Sequence, residues 1–473
     1  MNLAIFRKGL LITNFKSPFF TYIIAGLAHV FLTYLSWHLN ALFSLFCFIP
    51  ILAIISNDKC KKILKHLTVY FLFLITNYVV TFWLLDVNKT DGLFALIINA
   101  LYLYLSYPIS LLINKVLKNS ALSFIICYFF IEWLHFNWLF AWPWLTLGYI
   151  FGANENLIQW YKFTGVLGGS LWILLCNYVI FKKHLSTITI SICTIPLVLS
   201  LCILKLAKTA DNKKEFKIIL SQPNIKNKDS LSDNQRVSKA IEQLNKFSDK
   251  KDSVNLILLP ELFLDGVYWK ETFKESASYL DLKKYLLETF PKSKLLVGAT
   301  VRKIKKSTEN YTNRKFEFDK FNVIAAIDSS PNIRFKTKKE FIPKTENWPK
   351  YLNDLIPSPT SANYSLSTDS NFFDICYKRV FTALCYESIF GSYCSESVKT
   401  KSDFIVLLAS ESFLNSNKTA LKQYLNICKV RAIENGKYFI KCSNEGYSAI
   451  ISPYGKIVVL LPYDRQEYIY YSL

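Results

Sequence analysis

Long apolar runs are concentrated in the first 206 residues, and this segregation restricts the fold more than any other feature of the sequence. The runs predict about seven membrane-spanning helices, at 19–37, 40–56, 63–85, 92–114, 121–140, 159–181 and 185–206. The last five reach the ~20 residues that a helix needs to cross a hydrocarbon core of ~30 Å. The first two are short and also fit one re-entrant pair. A cleavable signal peptide is a poor explanation, because further apolar segments follow the first.

Basic residues mark every second loop between the predicted spans. They precede the first span and follow the second, fourth and sixth: Arg7, Lys8, Lys16, Lys59, Lys61, Lys62, Lys115, Lys118, Lys182 and Lys183. Loops rich in lysine and arginine stay in the cytoplasm, so we expect a cytoplasmic N-terminus. Seven spans then place residue 207 onward outside the cytoplasm, whereas six spans would reverse this orientation.

Two features of the membrane half have both an ordinary and a functional interpretation. The aromatic loop around Trp142 and Trp144 is either an interfacial belt or a lipid-facing floor beneath an active site. Glu132, near the end of a span, is either a snorkelling helix end or a buried polar group with a role.

The sequence changes character after residue 206. A polar, lysine-rich linker at 207–215 leads into short apolar runs that alternate with helical stretches, which indicates an α/β domain over 216–473. Strands are predicted at 216–221, 254–259, 294–299, 322–327, 380–384, 404–409 and 438–442, and helices near 234–248, 270–290 and 418–435. Buried strands separated by helices favour an α/β or a layered α-β-β-α domain. The net charge of +21 comes without a glycine-rich phosphate loop or a nucleic-acid motif, so we expect no nucleic-acid partner.

Histidine and cysteine usage limits the chemistry of the second half. All five histidines lie before residue 207, which excludes a Ser-His-Asp or Cys-His site within the soluble domain. A nucleophile there needs a carboxylate or a lysine as its base. The eleven cysteines are scattered without a CxxC pair, so neither a zinc site nor a disulfide framework is predicted.

Three segments of the soluble half carry candidate chemistry. Leu258-Leu259-Pro260-Glu261 places a glutamate at the end of a predicted strand, Lys338 lies in a basic segment followed by Glu346, and Cys385 follows another strand. Each residue also has a structural explanation. Glu261 fits a turn, Lys338 is one of 56 basic residues, and a free cysteine such as Cys385 is often a small buried hydrophobe.

The order strand-Glu, Lys, strand-Cys resembles the nitrilase superfamily, whose triad is Glu-Lys-Cys. Attached to a polytopic membrane domain, such a domain resembles the apolipoprotein N-acyltransferase family. Further similar blocks are Glu132-Trp133-Leu134, Trp142-Pro143-Trp144-Leu145, Leu147-Gly148-Tyr149, Ile158-Gln159-Trp160, Thr164-Gly165, Gln222-Pro223-Asn224-Ile225, Cys385-Tyr386-Glu387, Arg431-Ala432-Ile433-Glu434 and Ser443-Asn444-Glu445-Gly446. The resemblance implies a polytopic helical membrane domain followed by a nitrilase-like α-β-β-α sandwich.

The resemblance also implies a role for each site residue. Cys385 would attack a phospholipid ester as a thiolate and form a thioester, with Glu261 as the general base. Lys338 would lower the pKa of the thiol and stabilise the tetrahedral oxyanion. Glu346 and Glu387 would orient the lysine and the glutamate, and Tyr386 belongs with these supporting residues.

The implied reaction moves a fatty acyl chain from a phospholipid, with phosphatidylethanolamine as the expected donor, to the N-terminal amine of a diacylglyceryl-cysteine apolipoprotein. It requires no metal or organic cofactor. The implied location is the bacterial cytoplasmic (inner) membrane, with the catalytic domain on the periplasmic side. The segment 262–269 is then either a lid that dips into lipid or ordinary core packing.

The chain also departs from the family pattern. The usual Asn-Asp-x-Trp-Phe-Gly block reads Ser410-Glu411-Ser412-Phe413-Leu414-Asn415, and Tyr424 stands where a histidine is usual. The family usually ends in a transmembrane helix, for which the charged residues after Gly455 leave no span. Two alternatives therefore stay open: a membrane-bound nitrilase-like amidase or hydrolase that uses water, and a non-catalytic homologue with a structural Cys385.

Overall fold

The computed structural model describes residues 18–57, 61–138, 140–183, 186–207, 215–226, 231–305, 318–348 and 361–473. The chain divides into two compact units, 1–206 and 207–473, which are described separately. Apart from its end residues, the predicted linker at 207–215 lies outside the described residues, as do Arg7, Lys8, Lys16 and Lys59.

The first unit is helical. Its α-helices are α1 (Pro18–His38), α2 (Ile49–Ser56), α3 (Lys62–Thr81), α4 (Leu84–Val87), α5 (Lys89–Tyr104), α6 (Ser106–Leu117), α7 (Ser120–Leu134), α8 (Tyr161–Lys183) and α9 (Thr187–Ala207). Within the described ranges, five helical stretches are long and apolar enough to cross a membrane: Lys62–Thr81, Lys89–Leu117, Ser120–Asn137, Tyr161–Lys183 and Thr187–Leu206. They match the last five predicted spans, which confirms a helical membrane domain. The total of seven spans stays a prediction.

A carboxylate and a tryptophan lie inside this unit. Glu132 is 3% exposed, and its Oε1 accepts a hydrogen bond from the backbone N–H of Leu147 at 2.5 Å. Trp144 is buried as well and stacks on Trp142, with 6.2 Å between ring centroids. The burial of Glu132 contradicts a snorkelling helix end, whereas both interpretations of the aromatic loop stay predictions.

The second unit contains two six-stranded mixed sheets. The first has the strand order β12-β1-β2-β3-β4-β5 and the second β11-β10-β9-β8-β7-β6. The strands are β1 (Lys217–Gln222), β2 (Leu256–Trp269), β3 (Lys294–Ile304), β4 (Phe318–Ile327), β5 (Arg334–Thr337), β6 (Phe372–Ile375), β7 (Lys378–Leu384), β8 (Phe404–Ala409), β9 (Tyr438–Ser443), β10 (Ser448–Ile451), β11 (Ile457–Leu461) and β12 (Glu467–Ser472). The helices are α10 (Asp233–Leu244), α11 (Ala277–Thr289), α12 (Gly391–Lys401) and α13 (Lys418–Asn435).

Alternate residues of the strands bury two different cores. Ile219 on β1 packs in one cluster with Val237 of α10 and Leu282 of α11, on the helix-covered face of the first sheet. Its neighbour Leu220 points the opposite way, into a cluster shared with Val406 of β8. This two-residue period explains the nearly continuous apolar strands, because both faces are covered. With α13 packed against β9 and β10, the layers form the predicted α-β-β-α sandwich.

The second strand is longer than the sequence predicts. A strand ending at 259 was expected, but β2 continues to Trp269 after an interruption of its pairing with β3 between Leu259 and Leu264. Glu261 therefore lies within β2 and not at its end. In the segment 262–269, Phe263 is buried in the core but Val267 is 63% exposed, so core packing is confirmed for its first part and the lid stays a prediction for the rest.

Candidate active site

Glu261 projects from the interruption of β2. Leu262 adopts a left-handed backbone (φ 55°), which breaks the pairing with β3 at this point. Gly298 lies opposite on β3, where a Cβ atom would come within 2.4 Å of the Glu261 Cα. Only glycine permits so close an approach. The local backbone therefore holds the Glu261 side chain in place.

Lys338 lies between two carboxylates. It directly follows β5, and its Nζ is 3.0 Å from Glu261 Oε1 and 2.6 Å from Glu346 Oε1. Asn322 Nδ2 donates to Glu261 Oε1 at 2.8 Å, and the backbone N–H of Ser410 donates to Oε2 at 3.0 Å. The second oxygen of Glu346 accepts from the backbone N–H of Ile342 at 2.8 Å. Since Glu261 and Lys338 are buried, this network fixes both groups without help from solvent.

Cys385 follows β7 on a left-handed backbone (φ 42°) and is 4% exposed. Its Sγ lies 4.0 Å from the carbonyl oxygen of Ser410, whose own N–H binds Glu261. The structure thus brings together Glu261, Lys338 and Cys385, which are far apart in sequence.

The charges around Cys385 correct one expectation. Burial raises the pKa of the Cys385 thiol well above its ordinary value, and Glu261 raises it further. Lys338 acts in the expected direction and lowers this pKa, but it does not outweigh the other two causes. The direction of this pKa favours a protonated thiol, so a reaction at Cys385 would need a base to remove the proton.

Lys338 keeps its positive charge. Burial by itself lowers the pKa of Lys338, but Glu261 and Glu346 outweigh burial and hold the pKa well above its ordinary range. Burial raises the pKa of Glu346, which Lys338 opposes. Because Lys338 stays protonated, its ammonium group can stabilise a negative charge that develops on an oxygen atom near the thiol.

Glu387 lies elsewhere than predicted. Its carboxylate forms a fully buried ion pair with Lys336 and accepts hydrogen bonds from the backbone N–H groups of Lys339 and Leu384, each at 2.6 Å. It thus contacts the backbone beside Lys338 and beside Cys385, not the side chains of the lysine and the glutamate. Tyr386 is buried, with its ring 5.4 Å from that of Phe390.

The altered segment after β8 contains a second acid-base cluster. Glu411 forms a buried ion pair with Lys441, and its Oε2 accepts from Ser443 Oγ at 2.5 Å. Lys441 Nζ also donates to the Tyr447 carbonyl oxygen at 2.7 Å. At Gly446 a Cβ atom would lie 2.5 Å from the carboxyl carbon of Glu411, so the glycine leaves room for this carboxylate. Sequence reasoning missed Lys441, although a lysine inside an apolar strand was a visible signal.

Metal ligands are not assembled in the described part of the chain. No group of three or more His, Cys, Asp or Glu side chains there is arranged to hold a metal ion. The chemistry of the site is that of a thiol, a carboxylate and an ammonium group.

Residues 217–473 match the family model of the carbon-nitrogen hydrolases, which covers more than half of the chain. The chain belongs to the carbon-nitrogen hydrolase family. Residues 25–179 match a second model, that of the apolipoprotein N-acyltransferase N-terminal domain. A carbon-nitrogen hydrolase domain thus follows a membrane domain of that type, as the sequence blocks predict, and the resemblance to the apolipoprotein N-acyltransferases is confirmed.

The chain is similar to several named proteins. An apolipoprotein N-acyltransferase of Wigglesworthia glossinidia brevipalpis is 27% identical over 435 residues, which cover 86% of this chain and 83% of the relative. One of Rickettsia prowazekii (strain Madrid E) is 23% identical over 369 residues, covering 74% and 70%. Among solved structures, Saccharomyces cerevisiae Nit3, a member of branch 10 of the nitrilase superfamily, is 17% identical with a TM-score of 0.41. The similarity covers 56% of this chain and 93% of Nit3.

Proposed function

We propose that this enzyme moves a fatty acyl chain from a membrane phospholipid, through a thioester on Cys385, to the N-terminal amine of diacylglyceryl-cysteine apolipoproteins. The observation that carries the proposal is the buried Glu261–Lys338 ion pair beside the Cys385 thiol. It occurs in a chain that also matches the apolipoprotein N-acyltransferase membrane domain.

In the first half-reaction, Glu261 accepts the thiol proton while Cys385 Sγ attacks the ester carbonyl carbon. This role follows from the raised pKa of the thiol, which leaves a proton to be removed. Lys338 stabilises the tetrahedral oxyanion through its fixed positive charge. When the intermediate collapses, the bond to the lysophospholipid oxygen breaks, and Glu261 returns the proton to that oxygen.

In the second half-reaction, the lipoprotein amine attacks the thioester carbonyl carbon. Glu261 takes a proton from the amine, the C–S bond breaks, and the proton passes to the departing sulfur. The products are an amide and the free thiol, so the enzyme regenerates. Because the acyl group resides on the enzyme between the two substrates, the kinetics are ping-pong.

We further propose phosphatidylethanolamine as a donor and the periplasmic side of the bacterial inner membrane as the location of the catalytic domain. The orientation rests on basic loops after the second, fourth and sixth predicted spans.

The Glu411–Lys441 pair favours an active enzyme over a degenerate homologue. The altered block that contains Glu411 still forms a closed hydrogen-bonded cluster, with Lys441 and Ser443 as partners. Because an unpaired buried charge is costly, the pairing of Glu411 with Lys441 leaves this part of the fold intact, as an active site requires.

Intact mass of the full-length protein in detergent, after incubation with phosphatidylethanolamine, tests the proposal. We expect the wild type to gain one fatty acyl group and Cys385→Ala to gain none. Cys376→Ala, which removes an exposed cysteine at the opposite end of β7, should behave as wild type. A diacylated lipopeptide added next should discharge the adduct and gain its mass.

Two results contradict the proposal in different ways. If the folded wild-type protein gains no acyl adduct, the proposed thioester intermediate is refuted. If the acyl adduct is lost to water at the same rate with and without the lipopeptide, the enzyme is a hydrolase.

A further inference from the structure

The Tyr424 side chain contacts the backbone carbonyl group of Cys385. It lies on α13, it is 2% exposed, and its hydroxyl donates to the Cys385 carbonyl oxygen at 2.7 Å. Ser388 Oγ lies 2.9 Å from the same carbonyl oxygen and 3.1 Å from the Tyr424 hydroxyl. The backbone of Cys385 is therefore bound to a side chain 39 residues away.

The conformation of Cys385 requires such support. Its φ of 42° lies in the left-handed region, which is unfavourable for a residue with a side chain. Strained backbones of this kind persist only where surrounding contacts hold them. If the peptide after Cys385 rotated back, the direction of the Cα–Cβ bond would change, and Sγ would leave its position near the Ser410 carbonyl oxygen.

The Tyr424 ring is itself held by the buried cluster described above. Lys441 Nζ lies 5.1 Å from the ring centroid, within the range of a cation–π contact. Lys441 is in turn paired with Glu411. Burial raises the pKa of the Tyr424 hydroxyl, so the hydroxyl keeps the proton that it donates.

We propose that Tyr424 is a positioning residue, whose hydroxyl fixes the Cys385 peptide and thereby orients Sγ for attack. The proposal rests on the proposed acyl transfer for its effect on rate. It also makes a claim about the thiol alone: without the Tyr424 hydroxyl, only Ser388 binds the Cys385 carbonyl oxygen, and Sγ is held less firmly near the Ser410 carbonyl oxygen.

The decisive variant is Tyr424→Phe in the full-length protein, since it removes one oxygen atom and keeps the ring. We expect thioester formation from phosphatidylethanolamine to slow by about 10- to 100-fold, because small displacements of a reacting atom have effects of that size. The apparent KM for the phospholipid and the Tm should change little. Tyr424→His, which returns a ring N–H donor, should acylate faster than Tyr424→Phe. Tyr279→Phe removes a buried hydroxyl from the core of the first sheet and should match the wild type.

Alkylation of Cys385 by iodoacetamide, followed by peptide mass spectrometry across a pH series, separates this proposal from the proposed function. In Tyr424→Phe we expect the pH midpoint to fall, because burial and Glu261 raise the pKa of the thiol in its present position and together outweigh the opposing effect of Lys338. A wild type that forms no acyl adduct refutes the acyl transfer only, and the alkylation result then decides the role of Tyr424. The positioning role is overturned if Tyr424→Phe keeps the wild-type acylation rate and alkylation midpoint, or if the histidine variant acylates no faster than the phenylalanine variant.

Discussion

Replacing Lys338 by methionine should lower the stability of the protein, because it removes the positive charge that lies between Glu261 and Glu346. The ammonium group lies 3.0 Å from Glu261 and 2.6 Å from Glu346, and all three groups are largely shielded from water. Lys338→Met keeps most of the side-chain volume but leaves two carboxylates facing each other without a counter-charge. Removing one partner of a buried ion pair costs ~3–5 kcal/mol of unfolding free energy. For a domain of this size we expect a fall in Tm of about 10 °C.

The loss should depend on pH in a predictable direction. Burial already raises the pKa of Glu346, and Lys338 opposes this, so the variant should raise that pKa further. A carboxyl group with a higher pKa in the folded state takes up a proton on folding. The unfolding free energy of the variant therefore falls as the pH rises from the pKa of Glu346 in the unfolded protein to its higher pKa in the folded protein. Lys338→Met should therefore be most destabilised near pH 8 and approach the wild type near pH 5.

Thermal unfolding of the full-length protein in detergent at pH 5, 6, 7 and 8 measures this effect. Lys303→Met, at an exposed position of β3, serves as the matched control and should be near neutral. Adding Glu346→Gln to Lys338→Met removes one of the two unpaired carboxylates and should recover part of the lost Tm at pH 8. The reasoning is refuted if the loss is the same at every pH, or if the double variant is no more stable than the single one.

Three further predictions concern neighbouring positions. Glu261→Gln should abolish acyl transfer yet speed alkylation of Cys385 at pH 8, because Glu261 raises the pKa of the thiol; slower alkylation would contradict this. Burial raises the pKa of Glu340 to about 7, so the charge it carries at higher pH destabilises the fold. Glu340→Gln should therefore raise the Tm at pH 8 but hardly at pH 5. A larger rise in Tm at pH 5 than at pH 8 would count against this account. Gly298→Ala should cost about 2 kcal/mol by unfolding measurements, since its methyl group meets the Glu261 backbone. Gly266→Ala, which meets only side chains, should cost less, and equal losses would remove the argument for close approach.

Glu261 and Cys385 are candidates in the sequence because each adjoins an apolar strand, whereas Lys338 follows the largely polar β5 and is a candidate only through the family resemblance. Lys338 follows β5, Cys385 follows β7, and Glu261 follows the apolar residues that open β2. The end of β2 could not be predicted. Pro260, which has no N–H group, and the left-handed Leu262 both lie in the interruption of the β2–β3 ladder, and the sequence does not reveal that pairing resumes beyond them.

The supporting ion pairs were beyond reach of the sequence for a different reason. Lys336 pairs with Glu387 across 51 positions, and Lys441 pairs with Glu411 across 30. Neither distance matches a local period, so only the tertiary fold identifies the partners. An apolar strand around a lysine, as at Lys441, indicates burial, but the sequence does not identify the carboxylate that pairs with it.

The free-energy cost of burying these ion pairs favours a chemical role for the site over a purely structural one. Glu261–Lys338, Glu387–Lys336 and Glu411–Lys441 are all buried ion pairs, and each loses more hydration than an apolar pair of similar size would. Stability alone therefore does not explain them. In the proposed mechanism, the first supplies a base and a fixed cation beside the Cys385 thiol. The second joins the backbone next to Lys338 to the backbone next to Cys385. The third packs against the ring of Tyr424, whose hydroxyl binds the nucleophile's own carbonyl oxygen.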